Sequence, residues 1–205
     1  MELIQREKRQ LRRELRSRLG KLSQAELAEK SARICAHLRA FLPNAVASPL
    51  EKPNIGAFAA LPGEADLMPL MEADPPMARW CFPLVQNEGM QFHAVLSASN
   101  LIEGSYGIRE PDPASVDCAI IPIEKIDCFL VPGLGFSATN GQRLGRGKGF
   151  YDRCLANARE SSPRIGVTFD SQLVNALPFE AHDLPVHFLV TESGIREIAG
   201  SVADQ

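Results

Sequence analysis

Six short apolar runs, at residues 55–61, 80–85, 92–96, 128–131, 165–169 and 188–190, set the framework of this 205-residue chain. Each is about the length of a strand, and residues 64–73 and 150–159 between them fit helices. Strands alternating with helices predict an α/β fold in which one sheet is covered on both faces. The run 126–131 is nearly all apolar and stops at Pro132-Gly133, which predicts a central buried strand whose carboxyl end opens into a loop. Ligands of open α/β sheets gather at that edge. With 45% hydrophobic and 23% charged residues the composition is that of an ordinary globular protein, and one domain of this size buries a core without staples.

The first forty residues are different in charge. They hold 11 of the 22 Lys+Arg but only 5 of the 25 Asp+Glu, within a net charge of -3. Leu11, Leu15 and Leu19 recur once per turn among arginines and lysines, which predicts a basic amphipathic helix over 4–19 ended by Gly20. Ser23 with Glu26 three residues later makes a capping box for a second helix to about 42, and Pro43, Pro49 and Pro53 mark a loop after it. A basic arm suits nucleic acid, a membrane surface or a small polyanion, and charge alone does not choose among them. Cys35, Cys81, Cys118, Cys128 and Cys154 are odd in number and widely spaced, so a disulfide framework and zinc-ligand spacing are both excluded and a reducing cytoplasm is expected. No apolar run reaches the roughly 18 residues that span a bilayer, and the N-terminus lacks a signal-peptide core.

Directly after the central strand and its loop comes RLGRGKGFYDR, residues 143–153, where three glycines alternate with Arg146 and Lys148 ahead of a predicted helix. Glycine lets the backbone approach an anion closely, and N–H groups with the positive end of a helix dipole face it. The spacing is neither that of a Walker A loop nor that of the dinucleotide fingerprint. A lone glycine-rich turn is also compatible with a surface loop; Arg143 before it and Tyr151-Asp152 after it favour the phosphate site.

Other residues admit two readings each. Asp152 either caps the helix or holds Mg²⁺ against phosphates, with Asp183 as a second carboxylate. Lys8 and Arg12 share a helix face, which is either solvated or folded over the site. Glu64 either begins a helix or hooks a ligand at the sheet edge; Phe136, Phe150 and Tyr151 either pack in the core or line a pocket for a flat heterocycle. His37, His93, His182 and His187 form no metal pattern, and no GxSxG, no HExxH and no Cys with an obvious His partner appears. Nucleotide-phosphate chemistry remains.

The chain resembles the 5-formyltetrahydrofolate cyclo-ligase family, also called methenyltetrahydrofolate synthetases, over roughly residues 8–191. The resemblance lies in Lys8-x-x-Leu11-Arg12, Leu61-Pro62-Gly63-Glu64, Trp80-x-Phe82-Pro83, Met90-x-Phe92, Gly107-Ile108-x-Glu110-Pro111, and the block from Val131 through Arg143-Leu144-Gly145 to Tyr151-Asp152-Arg153. It departs from the family pattern at Ser137, Gly135 and Phe150, where Asp, Ala and Tyr are usual, and Lys148 is glycine in some members.

The resemblance implies a three-layer, Rossmann-like α/β/α fold with a mostly parallel sheet, in one domain over 1–205 with its basic helical segment at 1–42. It implies ATP- and Mg²⁺-dependent cyclisation of 5-formyltetrahydrofolate to 5,10-methenyltetrahydrofolate, with ADP and phosphate released through a phosphorylated formyl oxygen. Lys8, Arg9, Arg12, Arg143, Leu144, Gly145, Arg146, Gly147, Lys148, Gly149, Phe150 and Tyr151 then match the ATP-binding set. Ala59 and Glu64, with residues 146–150, match the folate site, and Asp152 and Asp183 the magnesium ligands. Lys148, Arg146, Arg143 and Tyr151 are the candidates for catalysis. The expected partners are these two small molecules, without nucleic acid or membrane, and the expected state is a monomer. The rivals are a non-catalytic nucleotide- or RNA-binding module of the same fold and an ATP enzyme acting on another heterocycle. Acidic residues beyond the arm, and an arm without interleaved aromatics, argue against RNA.

Overall fold

The computed structural model describes residues 2–46, 52–73, 76–86, 89–104, 107–180 and 183–199. Pro49 and His182 therefore lie outside the described residues. Helices α1 (Glu2–Leu19) and α2 (Gln24–Ala45) open the chain, followed by α3 (Met68–Met71) and α4 (Phe150–Leu155). The strands are β1 (Asn54–Gly56), β2 (Arg79–Gln86), β3 (Gly89–Ala94), β4 (Leu101–Glu103), β5 (Arg109–Pro111), β6 (Ile120–Ile121) and β7 (Cys128–Pro132). After them come β8 (Gly135–Ser137), β9 (Arg143–Leu144), β10 (Arg164–Val167), β11 (Leu173–Val174), β12 (Phe188–Thr191) and β13 (Gly194–Glu197).

Eight strands form the main sheet in the order β13-β12-β10-β7-β1-β2-β3-β6. Its middle, β12 to β2, is parallel and its flanks are antiparallel, so the fold is α/β with a mostly parallel centre. β7 is the buried central strand that its apolar run predicts: Cys128, Phe129 and Val131 are fully buried and Leu130 nearly so. Cys128 and Leu130 pack with α2 residues such as Ile34 and Leu38, whereas Phe129 and Val131 pack with Leu155 of α4 and Leu189. Asp127, the one charge in that run, accepts the Asn54 N–H at 2.9 Å and the Arg159 guanidinium at 2.7 Å, which compensates its burial.

From β1 the chain runs outward through β2 and β3, then returns to the other side of β1 as β7 and proceeds to β10 and β12. The strand order thus reverses between β1 and β7. At such a switch point the loops leaving two neighbouring parallel strands diverge and leave a crevice. The loop after β1 carries Ala59 and Glu64; that after β7 leads through β8 and β9 to the glycine segment.

α1 is longer than the predicted 4–19, and Ser23 and Glu26 make the expected capping box on α2. Pro43 lies inside α2 rather than in the following loop; in the last turn its missing N–H costs the helix a single hydrogen bond. The run 55–61 yields a strand only over its first two residues, because after Ala57, whose N–H still donates to the Cys81 carbonyl of β2 at 2.7 Å, the chain turns into the crevice instead of pairing. The predicted helix 64–73 shrinks to α3, with Pro69 in its first turn, and the predicted 150–159 shrinks to α4.

His187 is buried at the base of β12, where its Nδ1 accepts the Arg164 backbone N–H at 3.0 Å. Burial, then the nearby Arg164 charge, pushes its pKa down from 6.5 to about 4. Because the fold favours neutral imidazole, its contribution to stability is present above pH 6.5 and lost as pH falls toward 4. Thermal melts of the wild type should fall over that window, and His187→Gln, which keeps an acceptor but does not titrate, should have a shallower slope.

Candidate active site

A cavity of about 490 Å³ occupies the crevice at the switch point. Lys8 and Arg12 of α1, Ala59 and Glu64 after β1, and residues 143–152 line it together with Asp183. Sequence positions 175 residues apart are therefore brought to one wall. Arg9 is the exception among the predicted nucleotide residues: it is exposed and faces a neighbouring recess instead.

α1 reaches the cavity because one of its faces changes character along its length. Leu15 and Leu19 are buried, and Lys8 and Arg12 continue that stripe toward the N-terminus. Lys8, only 6% exposed, donates to Asp183 Oδ2 at 2.5 Å and Glu180 Oε2 at 3.0 Å. Burial opposes its charge, but the hydrogen bonds and charges of Asp183 and Glu180 outweigh burial and raise its pKa. Arg12 Nε donates to the Gly145 carbonyl at 2.9 Å, and its guanidinium covers Gly147. The charged face is thus folded over the site rather than solvated.

In the glycine segment Gly147 and Gly149 have φ of 109° and 66°, conformations that a side chain strains. Gly149 caps α4, so Asp152 is not the cap. Asp152 instead accepts Arg143 Nη2 at 2.7 Å through Oδ1. Arg143 also donates to the Pro132 carbonyl at 3.3 Å and lies over the Tyr151 ring, 5.6 Å from its centroid. Arg143 Nε and the Tyr151 hydroxyl are buried donors with no partner among the described residues. Burial, then the charge of Glu64, raises the Tyr151 pKa, so the phenol stays protonated and a donor.

Arg146 crosses the crevice to Glu64, with Nη2 and Nε at 2.8 and 2.9 Å from Oε1. The other Glu64 oxygen accepts the Leu61 N–H at 3.0 Å. Lys148 lines the exposed side of the cavity, where its carbonyl accepts from Arg153. Phe150 is half-buried under the Arg153 guanidinium. Leu144 is buried, so its place in the site is through its backbone.

The two candidate magnesium ligands are unlike. Asp152 has hard oxygens on the cavity wall, one committed to Arg143, which fits an ion that takes one or two protein carboxylates and keeps its phosphate and water ligands. Asp183 Oδ2 is committed to Lys8 and to the Glu180 N–H. Among the described residues no three His, Cys, Asp or Glu side chains cluster as a metal site.

The apolar wall was not assigned from the sequence: Phe58, Pro83, Val85, Met90 and Ile108, with the buried Glu110, line the far side of the cavity. Pro83, Met90, Ile108 and Glu110 sit in blocks that carry the family resemblance, which was the available signal. Gln5 and Glu180 had none. The thiols of Cys35 and Cys154 are pushed up to about 11, and that of Cys81 to about 12, chiefly by burial, which removes them as nucleophiles. His93 is tied to the Cys118 carbonyl at 2.9 Å.

A family model described as the 5-formyltetrahydrofolate cyclo-ligase family matches residues 4–192. The chain is similar to the 5-formyltetrahydrofolate cyclo-ligase of Mycolicibacterium smegmatis, 34% identical over 58% of this chain and 62% of that one, so the match spans under two thirds of that relative. With the Escherichia coli cyclo-ligase it shares 31% identity over 70% of this chain and 80% of that one. The NMR structure of Aquifex aeolicus 5,10-methenyltetrahydrofolate synthetase superposes with a TM-score of 0.78 at 30% identity, covering 94% of this chain and 93% of the other.

The local bonding separates two residues of the cation wall. Arg143→Met leaves the Asp152 carboxylate, 17% exposed, without its partner, and should lower unfolding free energy by on the order of 2 kcal/mol. Tyr151→Phe removes a hydroxyl that has no hydrogen-bond partner among the described residues and should stay within about 0.5 kcal/mol of wild type. Urea denaturation of both variants checks the contrast.

Proposed function

The chain belongs to the 5-formyltetrahydrofolate cyclo-ligase family, and we propose that it is the ATP-dependent enzyme that converts 5-formyltetrahydrofolate to 5,10-methenyltetrahydrofolate. The observation that supports this most is the joining, in one cavity, of a cation wall suited to polyphosphate and an apolar wall suited to a flat heterocycle. The five cysteines carry free thiols, which favours the cytoplasm as the compartment. Among the described residues no helix is long and apolar enough to cross a membrane.

The chemical difficulty is the formyl oxygen, which leaves an amide carbon poorly. Transfer of the ATP γ-phosphoryl group to that oxygen converts it into a leaving group and releases ADP. N10 of the folate then attacks the same carbon and loses its proton to solvent. The C–O bond breaks, and phosphate departs with the former formyl oxygen as the ring closes. Little covalent work falls to the protein; positioning and charge neutralisation do most of it.

In this reading Arg12, Arg146 and Lys148 face the transferring phosphoryl group, with Arg143 and the protonated Tyr151 as fixed donors behind them. Glu64 holds Arg146 at the boundary between the two substrates, and its carboxylate is placed for the N–H groups of a pterin. Asp152, with Asp183 as the second carboxylate, would hold magnesium, which supplies charge neutralisation on the phosphates when bound.

Lys148→Met, assayed by methenyl-folate absorbance with ATP, should lose on the order of a hundredfold in kcat. Unchanged turnover removes Lys148 from the mechanism. For Asp152→Asn the activity curve should move to higher Mg²⁺ concentration, and a superimposable metal titration rejects the ligand role.

A further inference from the structure

The apolar wall of the main cavity continues past Met90. Met90 and Phe150 line both this cavity and a groove of about 490 Å³ on its β6 side. Cross-strand partners share a sheet face, and one face carries the wall outward: Val85 of β2 stands opposite Met90, Pro83 opposite Phe92, and Phe92 opposite Ile121 of β6. α4 covers the groove with Phe150, Arg153 and Cys154, which share one helix face, and Cys154 Sγ donates to the Met90 carbonyl at 3.8 Å.

The groove has an apolar floor and a cationic edge. Ile121 is half-buried, and Ile120, 58% exposed, leaves apolar surface at the open end of the sheet. Phe150 and Arg153 stand where the two spaces join. The Arg153 guanidinium lies 5.3 Å from the Phe150 ring centroid, and its Nη1 donates to the Lys148 carbonyl at 3.0 Å. Among the described residues lining the groove, Arg153 carries the only charge. A cation at the rim of an apolar slot suits a ligand that is flat and apolar along its length and anionic at its end.

The substrate of the proposed reaction has such an end. Beyond N10, 5-formyltetrahydrofolate carries an aminobenzoyl ring amide-linked to glutamate. N10 has to reach the formyl carbon beside residues 146–150, so the benzoyl ring begins there and needs an apolar path outward. We propose that the groove is the subsite for this aryl-glutamate tail: the ring lies against Phe150, Met90 and Ile121, and Arg153 meets a glutamate carboxylate with its planar fork. This rests on the reading of the main cavity as a folate site and gives the folate a direction, with the pterin at Glu64, N10 beside the glycine segment and the tail outward under α4. It also makes Arg153 a specificity residue for tailed folates over free pterins. Arg153 has a second, positioning duty through the Lys148 carbonyl, so the test must separate the two.

Binding is measured by calorimetry with 5-formyltetrahydrofolate and with 5-formyl-6-methyltetrahydropterin, which keeps the heterocycle and the formyl group but has no tail. Wild type should bind the folate more tightly than the pterin by about tenfold or more, the effect of burying an aryl ring and pairing a carboxylate. In Arg153→Gln that ratio should fall about fivefold, the size of an ion pair at an exposed rim. The folate KM should rise by a similar factor while kcat stays within about twofold, the pattern of lost uniform binding. Ile120→Glu, an exposed change that sets a carboxylate in the groove, should also lower the ratio. If Arg153→Gln lowers kcat and leaves the ratio intact, Arg153 acts only through Lys148 and the subsite is wrong. An unchanged ratio in Ile120→Glu, or equal wild-type affinity for the two ligands, also overturns the subsite while leaving the folate reading in place. Wild type that binds neither ligand rejects the folate reading itself, and the subsite with it.

Discussion

The reversal of strand order between β1 and β7 is the constraint on which the site depends. Two adjacent parallel strands there send their loops in opposite directions, and backbone pairing holds Gly56 beside Phe129 while the chain beyond them separates. The resulting crevice is bridged at its mouth by Arg146 and Glu64, one from each loop. Arg146 is about one-third exposed, so the pair adds little to stability. It orients two side chains toward the same space, and that is its consequence for chemistry.

Three of the cations facing this space are already matched to carboxylates: Lys8 to Glu180 and Asp183, Arg143 to Asp152, and Arg146 to Glu64. Without these acids the cations would repel one another in a partly desolvated cavity, and each would cost free energy to hold in place. With them the array is fixed before a ligand arrives, and on the proposed function less reorganisation would be needed when charge develops on a phosphoryl group. The acids also oppose a polyanion. On the proposed function, a divalent cation entering with a nucleotide would relieve that opposition, and Asp152 stands beside the glycine segment where such an ion would be held.

Much of this was legible in the sequence because local rules and tertiary packing agreed. The apolar run before Pro132 marked β7, Ser23 with Glu26 marked the start of α2, and the glycines flanked by Arg143 and Asp152 marked one wall of the cavity. Misreadings arose where tertiary contacts overrode local pattern. Residues 57–61 look like the continuation of a strand, but the sheet pairing ends at Ala57, whose N–H still donates to the Cys81 carbonyl at 2.7 Å, and Phe58 and Ala59 are buried in the crevice wall instead. Gln5 and Glu180 could not be singled out, because a lone glutamine and a lone glutamate have no signature until a helix and a distant segment meet.

Strands β11, β8 and β9 form a separate three-stranded sheet in that order, and the contact of α1 with it links folding to the site. Leu15 is fully buried with Leu144 and Leu177, and its Cδ1 lies only 2.5 Å from where a Cβ on Gly135 would stand. That close approach explains glycine at 135: the leucine fills the space a side chain there would take. Leu144 immediately precedes Gly145, whose carbonyl holds Arg12. The apolar wedge and the polar contact are thus one residue apart on the strand side and three apart on the helix side. A shift of α1 large enough to relieve crowding at Gly135 would pull Arg12 from Gly145 and Lys8 from its acids, so the packing of one leucine sets the position of the whole cation row.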